Sequence, residues 1–517
     1  VQPRSEKYVL VKDKVFQYDA VVRDKDKKNM ISQRRANPMR VRTKEGCGDI
    51  YYTNLLTKML CLVTNRMATF DPEGIGLEME AGKPGWNDSM NGLPGILGSS
   101  LCETLELEKA LLFLSKSCEE LKSGKIKIYK ELYDFIISLE KIIDERLKSK
   151  KKDKKFIYWD KSHTLKEVYR EKTKFGIDGK EVIVDITRIK KFIDKCLALL
   201  KEIYLPGNRN KVFDKNGVPY TYYENKVVNY KFITDKNGKK KLAKSGYPLV
   251  KPLKFKFTPL PLFLEGAVHM MKVHPELRNK IYNGVRKSRM YDRKLKMYKV
   301  CESLKDAPFE IGRVKAWGPG WIENESVYTH MEYKYLLEII KSGLYDEFYR
   351  DIKTMLAPCF DPKIYGRSTI ENVSFIVSSA FPDKKMHGRG LQPRLSGVTG
   401  EMVNIWVLMT TGKKPFYTEN GRLRFSLKPA LSSSLFTKKK GQIPANCFGF
   451  KLFGDIDVIY ENKKMKNTYG KNGVSVKEYI LNYKNGKKVR ITGNTIDEPY
   501  SYDIREGKVK SICIILS

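Results

Sequence analysis

Three polar segments that are rich in glycine interrupt a chain whose apolar residues otherwise recur mostly at helical spacing. The segments span residues 80–95, 317–330 and 386–401. Outside them, apolar residues three and four positions apart predict amphipathic helices, for example over 49–67 and 187–204. Long loops inside a compact domain usually carry function. Loops at one end of a ring of helices converge on one cavity, so we predict that the three segments contribute to a single site.

The remaining patterns predict where helices give way to strands. A long amphipathic helix is predicted over 119–156, ending in a run of lysines at 148–155. Two near copies of the turn Asp-Lys-Asn-Gly, at 214–217 and 235–238, predict a small β insertion between helices. From residue 421 onward, short runs of alternating apolar residues predict strands at regular intervals.

These patterns predict a mainly α fold with a C-terminal β domain. Its predicted parts are an N-terminal extended segment or linker at 1–48, a helical domain at 49–415 with a β-hairpin insertion at about 207–254, and a β-sandwich at 416–517.

Composition argues against several classes of protein. Nine cysteines, an odd number without a CxxC pair, argue against a disulfide framework and a zinc site, so we expect no metal and a cytoplasmic location. The sequence contains no run of about 18 apolar residues, which is the length needed to cross a bilayer. The net charge of +38 would suit nucleic acid, but the lysines are spread over the whole chain and no DNA-reading motif accompanies them. We therefore expect neither a membrane nor a nucleic-acid partner, and a homodimer stays open.

The stretch 85–95 crowds an aromatic ring, two amides and a carboxylate between glycines. The ring of Trp86 can lie against the apolar face of a pyranose, and the amides of Asn87 and Asn91 can bond its hydroxyls. The carboxyl of Asp88 can protonate a glycosidic oxygen. These groups predict a sugar site, and the simpler alternative is a turn around a buried tryptophan.

The second polar segment offers ring faces and carboxylates. Trp321 could contact a sugar, and Glu323 and Glu325 would share one face if the segment is extended. His330 opens the following helix, where it could help to bind an anion. A structural role is the ordinary interpretation of a histidine at that position.

The third polar segment supplies anion-binding groups ahead of a helix. Arg389, Arg394, several hydroxyls and backbone N–H groups match phosphate oxygens. The spacing differs from that of a P-loop, so no nucleotide is implied. The alternative is a surface loop that is capped by Thr399, with Glu401 favoured by the helix dipole.

The tripeptide Trp86-Asn87-Asp88, followed by Met90-Asn91-Gly92, resembles the WND-x-MN-G element of cellobiose phosphorylase and its relatives, the inverting glycoside phosphorylases that act on β-glucosides. The segments 323–330 and 395–400 resemble later blocks of that family in the same order. The resemblance covers about residues 49–115 and 306–436.

The resemblance implies an (α/α)₆ barrel followed by a C-terminal β domain. In a full-length relative, an N-terminal β-sandwich and a linker precede the barrel, so we expect this chain to be a C-terminal fragment. The resemblance also implies that Asp88 is the general acid and that His330, Ser396 and Gly397 hold phosphate. The function expected is phosphorolysis of cellobiose or a β-oligoglucan, which gives α-glucose 1-phosphate. Inorganic phosphate is then a co-substrate beside the oligosaccharide, and no cofactor is expected.

Departures from the family pattern leave alternatives open. Relatives usually have aspartate before and glycine after Trp-Asn-Asp, whereas this chain has Gly85 and Ser89. A carboxylate of Glu401, Glu323 or Glu325 could act as a general base for water, which would make the protein an inverting β-glucan hydrolase or a transglycosylase. A non-catalytic sugar-binding protein is the third possibility.

Overall fold

The computed structural model describes residues 1–83, 85, 87–393 and 396–517. Within them the chain divides into two compact units. The N-terminal unit contains Val1–Tyr291, Tyr298–Ser326 and Ala380–Pro382, and the C-terminal unit contains Asp292–Met297, Val327–Ser379 and Asp383–Ser517. The boundaries that we expected after residues 48 and 415 stay predictions.

Helices make up most of the N-terminal unit. They are α1 (Arg4–Lys7), α2 (Lys25–Ser32), α3 (Leu55–Met67), α4 (Leu101–Leu121), α5 (Lys130–Lys148), α6 (Lys154–Lys172), α7 (Ile186–Lys201), α8 (Arg209–Val212), α9 (Leu264–Val273) and α10 (Arg278–Lys287). Helix α4 packs against α7 and α9, and α5 packs against α6 and α7. The helix predicted over 187–204 is confirmed as α7, which buries Ile189, Phe192, Ile193 and Cys196 along one face.

The single helix predicted over 119–156 is wrong. The chain leaves α4 at Leu121, and Gly124 turns it with a φ of 144°. The next five residues, Lys125–Tyr129, form a strand that pairs antiparallel with Glu181–Asp185. Isoleucines at 126 and 128 fit a strand as well as a helix, and the pairing with a segment about 55 residues away decides between them.

Short strands complete the N-terminal unit. They are β1 (Tyr8–Val11), β2 (Lys14–Gln17), β3 (Leu77–Glu78), β4 (Ser99–Ser100), β5 (Lys125–Tyr129), β6 (Glu181–Asp185), β7 (Tyr222–Phe232) and β8 (Val250–Pro259), with β9 (Tyr291–Asp292) and β10 (Met297–Tyr298) at its edge. Strands β3, β4, β7 and β8 form one antiparallel sheet in that order. The predicted β insertion is thus present as β7 and β8. Its turns place Gly217 and Gly238 at φ values of 80° and 77°.

The described residues of the C-terminal unit form five helices and two larger groups of strands. The helices are α11 (Thr329–Lys341), α12 (Tyr345–Met355), α13 (Pro362–Tyr365), α14 (Ser396–Thr411) and α15 (Tyr500–Arg505). The strands are β11 (Val327–Tyr328), β12 (Phe375–Ile376), β13 (Gly390–Leu391), β14 (Phe416–Glu419), β15 (Arg422–Phe425), β16 (Cys447–Leu452), β17 (Ile456–Glu461), β18 (Val476–Tyr483), β19 (Lys488–Thr492) and β20 (Val509–Leu516). Strands β11, β12 and β13 form a small antiparallel sheet, and α14 packs against α11.

The predicted strands after residue 421 are present, but the predicted β-sandwich is wrong. They form one mixed sheet in the order β16-β17-β20-β18-β19, in which β17 and β20 are parallel. No second sheet of similar size covers it among the described residues. Instead the Tyr460 hydroxyl donates to the Thr410 carbonyl oxygen of α14 at 2.6 Å, and the Trp406 ring lies 5.8 Å from the Phe448 ring. Alternation along a strand indicates one buried face and leaves unspecified what covers it.

The expected (α/α)₆ barrel is also wrong. The structure is 41% helical and 21% strand, with many small separate sheets and no closed barrel in the described part of the chain. Of the described helices, none combines the length and the apolar character that a membrane span requires.

Candidate functional site

Asp88 begins a short 3-10 turn, Asp88–Met90, that holds its carboxylate in solvent. Asn87 is buried, and its Oδ1 accepts hydrogen bonds from the N–H of Ser89 at 3.1 Å and from the Ser89 hydroxyl at 2.6 Å. Ser89 and Met90, the other two residues of the turn, are buried. The side chain of Asn87 therefore fixes the turn, and Asp88 is presented on a well-held backbone. Trp86 lies outside the described residues.

Two glycines allow this turn to pack closely on residues 309–316. The N–H of Gly92 donates to the Ile311 carbonyl oxygen at 3.1 Å, and the N–H of Arg313 donates to Asn91 Oδ1 at 3.0 Å. A Cβ on Gly92 would clash with the Glu310 carbonyl oxygen, and a Cβ on Gly312 would lie 2.5 Å from Asn91 Oδ1. Only glycine permits this approach at either position. Hydrogen bonds between segments up to 222 residues apart in the sequence thus fix the Asp88 turn.

Glu323 brings a second carboxyl group to the same place. Burial raises the pKa of Glu323, hydrogen bonds from Ser89 and the charge of Arg313 oppose that rise, and the charge of Asp88 adds to it. Its Oε2 is buried and has no hydrogen-bond partner among the described residues. Asp88 and Glu323 are therefore neighbouring carboxyl groups in different environments, one exposed and one partly buried. Such a difference separates a proton donor from a charged carboxylate.

The other predicted residues of the second segment in this unit have protein partners. The Trp321 ring lies 5.2 Å from the ring of Phe381. Glu325 is 9% exposed, and its Oε2 lies 3.0 Å from the Nζ of Lys299. A carboxylate held in a buried ion pair is a poor base. Of the two glutamates, Glu323 is therefore the better candidate for proton transfer.

In the C-terminal unit, three of the predicted residues lie together around the start of α14. Nε2 of His330 is 3.7 Å from Oε1 of Glu401, and a Cβ on Gly397 would lie 2.7 Å from Cε1 of His330. The hydrogen bond with His330 lowers the pKa of Glu401. Gly397 thus leaves room for the imidazole, and a charged Glu401 holds it. A bound anion would meet that carboxylate as well as the histidine.

The remaining members of the predicted phosphate loop add little to this cluster. Arg389 is exposed and its guanidinium lies beside Gly366. Arg394 and the side chain of Ser396 lie outside the described residues. Asp88, Asn91 and Glu323 belong to the N-terminal unit, whereas His330, Gly397 and Glu401 belong to the C-terminal unit. One site built from all three polar segments stays a prediction.

A network of titratable side chains connects β3 and the residues just after it to α6, and no sequence pattern predicted it. Glu78 accepts a hydrogen bond from Trp159 Nε1 at 2.6 Å, and its Oε2 lies 3.0 Å from His163 Nε2. The Nζ of Lys166 donates to Glu80 Oε1 at 2.9 Å, and burial lowers the pKa of Lys166 to about 8. The bonded partners in this network are 81 to 86 residues apart in the sequence. The only local signal was that His163 and Lys166 are three residues apart, on one face of a helix.

A further group of possible ligands is occupied by protein contacts. One ligand atom each of Cys102, Glu265 and His269 lie within 4.8 Å of one another. The Tyr222 hydroxyl donates to Glu265 Oε2 at 2.6 Å, and His269 Nδ1 lies 2.8 Å from Glu106 Oε1. Burial raises the pKa of the Cys102 thiol well above its ordinary value. The thiol is neutral, and Glu265 and His269 already have protein partners. These contacts account for the closeness of the three side chains without a metal.

Comparison with known proteins assigns no family, because no family model matches the chain and no curated protein is significantly similar to it. The resemblance to the cellobiose phosphorylase family therefore depends on the motif residues alone.

Proposed function

We propose that the protein is a carbohydrate-active enzyme that cleaves β-linked glucosides by phosphorolysis, with Asp88 as the general acid and inorganic phosphate as the co-substrate. The observation that carries this proposal is the exposed carboxyl of Asp88 on a turn that Asn87, Gly92 and Gly312 hold in place. When phosphate attacks the anomeric carbon, the protein has to supply one positioned acid for the leaving oxygen.

The turn presents the carboxyl of Asp88 on the surface, where a bound sugar can reach it. A sugar seated over the turn would remove water from the exposed carboxyl, and loss of water favours the protonated form. The proton would pass to the glycosidic oxygen as the bond to the anomeric carbon breaks. The products would be α-glucose 1-phosphate and a shortened sugar. The roles expected of His330, Ser396, Gly397, Arg389 and Arg394 toward phosphate stay predictions.

A hydrolase is the second candidate, and the position of Glu323 favours it. Inverting hydrolases use two carboxyl groups, one protonated and one charged. Burial raises the pKa of Glu323, while Asp88 lies in solvent. In a hydrolase these environments would make Glu323 the acid and Asp88 the base for water, the reverse of the assignment in a phosphorylase.

One set of assays separates these functions. The protein is incubated with cello-oligosaccharides with and without phosphate, and glucose 1-phosphate and reducing sugar are measured. A phosphorylase gives glucose 1-phosphate only with phosphate, and Asp88→Asn lowers turnover by about 10²- to 10⁴-fold while sugar affinity persists. Asp306→Asn, at another exposed aspartate, serves as the control.

The outcomes point in different directions. Phosphate-independent release of reducing sugar, lost in both Asp88→Asn and Glu323→Gln, would establish the hydrolase instead. Near-full turnover by Asp88→Asn would show that Asp88 is not the acid. Sugar binding without turnover under either condition would leave a sugar-binding protein.

A further inference from the structure

A cavity of about 550 Å³ lies between the end of strand β2 and the Asp88 loop, within the N-terminal unit. We call it the hairpin cavity. The residues of its wall that matter here are Phe16, Tyr18, Asn91, Phe309, Glu310 and Arg313. Its volume falls in the range of ordinary small-molecule sites, about 300–1,000 Å³.

Three aromatic residues, Phe16, Tyr18 and Phe309, line the hairpin cavity. Phe16 and Tyr18 stack with their ring centroids 5.0 Å apart and their planes 13° apart. Phe16 is buried, whereas Tyr18 is 40% exposed and Phe309 is 73% exposed. Exposed rings that line a cavity are costly unless something covers them, and flat apolar faces are what the C–H face of a pyranose packs against.

Polar groups lie on the side of the hairpin cavity that borders the Asp88 turn. The side chains of Asn91 and Arg313 are exposed there. Glu310 is held by Lys14, with 2.9 Å between Oε1 and Nζ. A few amide and guanidinium donors beside aromatic faces match a neutral ligand that carries many hydroxyls.

The hairpin cavity shares Asn91 and Arg313 with the surroundings of the carboxyl pair described above. Asn91 follows Asp88 by three residues, and the N–H of Arg313 donates to Asn91 Oδ1 at 3.0 Å. The charge of Arg313 also acts on Glu323. Asn91 and Arg313 thus connect the wall of the hairpin cavity to the two carboxyl groups.

We propose that the hairpin cavity binds glucosyl units of the substrate beyond the unit at Asp88, so that the preferred ligands are β-gluco-oligosaccharides longer than a disaccharide. This inference rests on the proposed function for the sugar class, and on the rings of Tyr18 and Phe309 for the position of the site.

The test is binding as a function of chain length, measured by titration calorimetry. Cello-oligosaccharides of two to five units are titrated into the Asp88→Asn protein, and into the same protein carrying Tyr18→Ala or Phe309→Ala. We expect affinity to rise with chain length, and each ring removal to weaken binding of the longest ligand about 5- to 10-fold while the disaccharide is unaffected. Tyr52→Ala is the matched control, because Tyr52 is 80% exposed and lies away from the cavity wall.

The results separate this inference from the proposed function. Equal affinity of all variants for the longest ligand, or no binding of any oligosaccharide, would overturn the inference. Chain-length-dependent binding that needs Tyr18 and Phe309 supports it, even if the unsubstituted protein shows no turnover. Turnover with unchanged binding by both variants would leave the proposed function standing and the hairpin cavity without this role. Phe309→Ala guards against misfolding, because an exposed ring contributes little to stability.

Discussion

Replacing Gly312 by alanine should detach the Asp88 turn while leaving the rest of the N-terminal unit folded. The new Cβ would lie 2.5 Å from Asn91 Oδ1 and 2.6 Å from the Ser89 carbonyl oxygen, at a residue whose φ is 132°. The unfavourable backbone conformation costs about 1–3 kcal/mol, and the overpacking costs about 1–3 kcal/mol more.

The contacts that resist this separation are weaker than the clash. The hydrogen bonds from Gly92 to Ile311 and from Arg313 to Asn91 contribute about 1 kcal/mol each. The turn should therefore move away from residues 309–316. A displacement of about 1 Å at a catalytic group typically costs about 10²-fold in rate.

Amide hydrogen exchange measures the separation without any assumption about function. In Gly312→Ala we expect faster exchange of the amides of Gly92 and Arg313, with exchange in helices α4 and α7 unchanged. Oligosaccharide turnover should fall in parallel. Gly318→Ala is the matched control, because a Cβ on Gly318 would have no atom within 4 Å. Unchanged exchange at Gly92 and Arg313 would refute the conclusion that Gly312 allows the Asp88 turn to pack on residues 309–316.

Three further predictions concern stability and reactivity. Lys299→Met should lower the free energy of unfolding by about 3–5 kcal/mol in urea titrations because it removes the ammonium partner of the buried Glu325 carboxyl, and adding Glu325→Leu should restore much of that loss; additive losses would contradict the ion pair. Burial raises the pKa of Asp71 to about 6 from an ordinary value of 3.8, so the free energy of unfolding should fall by about 3 kcal/mol as the pH rises from about 4 to above 6. Asp71→Asn lacks this carboxyl, so its urea midpoint should rise relative to that of the unsubstituted protein over the same pH window. Parallel midpoints would contradict the raised pKa. Of the nine free thiols, those of Cys47 and Cys359 are exposed, and a thiol reagent should modify these two first under native conditions.

Local patterns predicted the elements that depend on neighbouring residues. The spacing of Ile189, Phe192 and Ile193 was enough for α7, and alternation was enough for the strands after residue 421. The predictions of a barrel and a sandwich were wrong because the apolar face of an element does not indicate which other element will cover it. The sheet meets Thr410 and Trp406 of α14, and nothing in the strand pattern points to that helix.

The same contrast between local patterns and long-range contacts applies to the candidate site. The glycines and amides of residues 85–95 predicted a sugar site, which stays a prediction, and the structure shows a polar turn there that exposes Asp88. The partner of that turn, Gly312, is far away in sequence, and the pairing of Glu323 with Ser89 depends on the same long-range contact. Buried contacts such as that between Glu78 and His163 gave no local signal, because 85 residues separate the two side chains.

The strand pair β1–β2 gives the synthesis of this protein a timing constraint. Tyr8 and Val9 are almost completely buried, and Val9 bridges to Leu249. The ribosome makes Val9 about 240 residues before Leu249, which at about 5–20 residues per second is an interval of roughly 10 to 50 s. During that time the apolar side chains of the strand pair have no partner strand and are open to aggregation or to chaperones. The hairpin cavity is completed later still, because Phe309, Glu310 and Arg313 also line it.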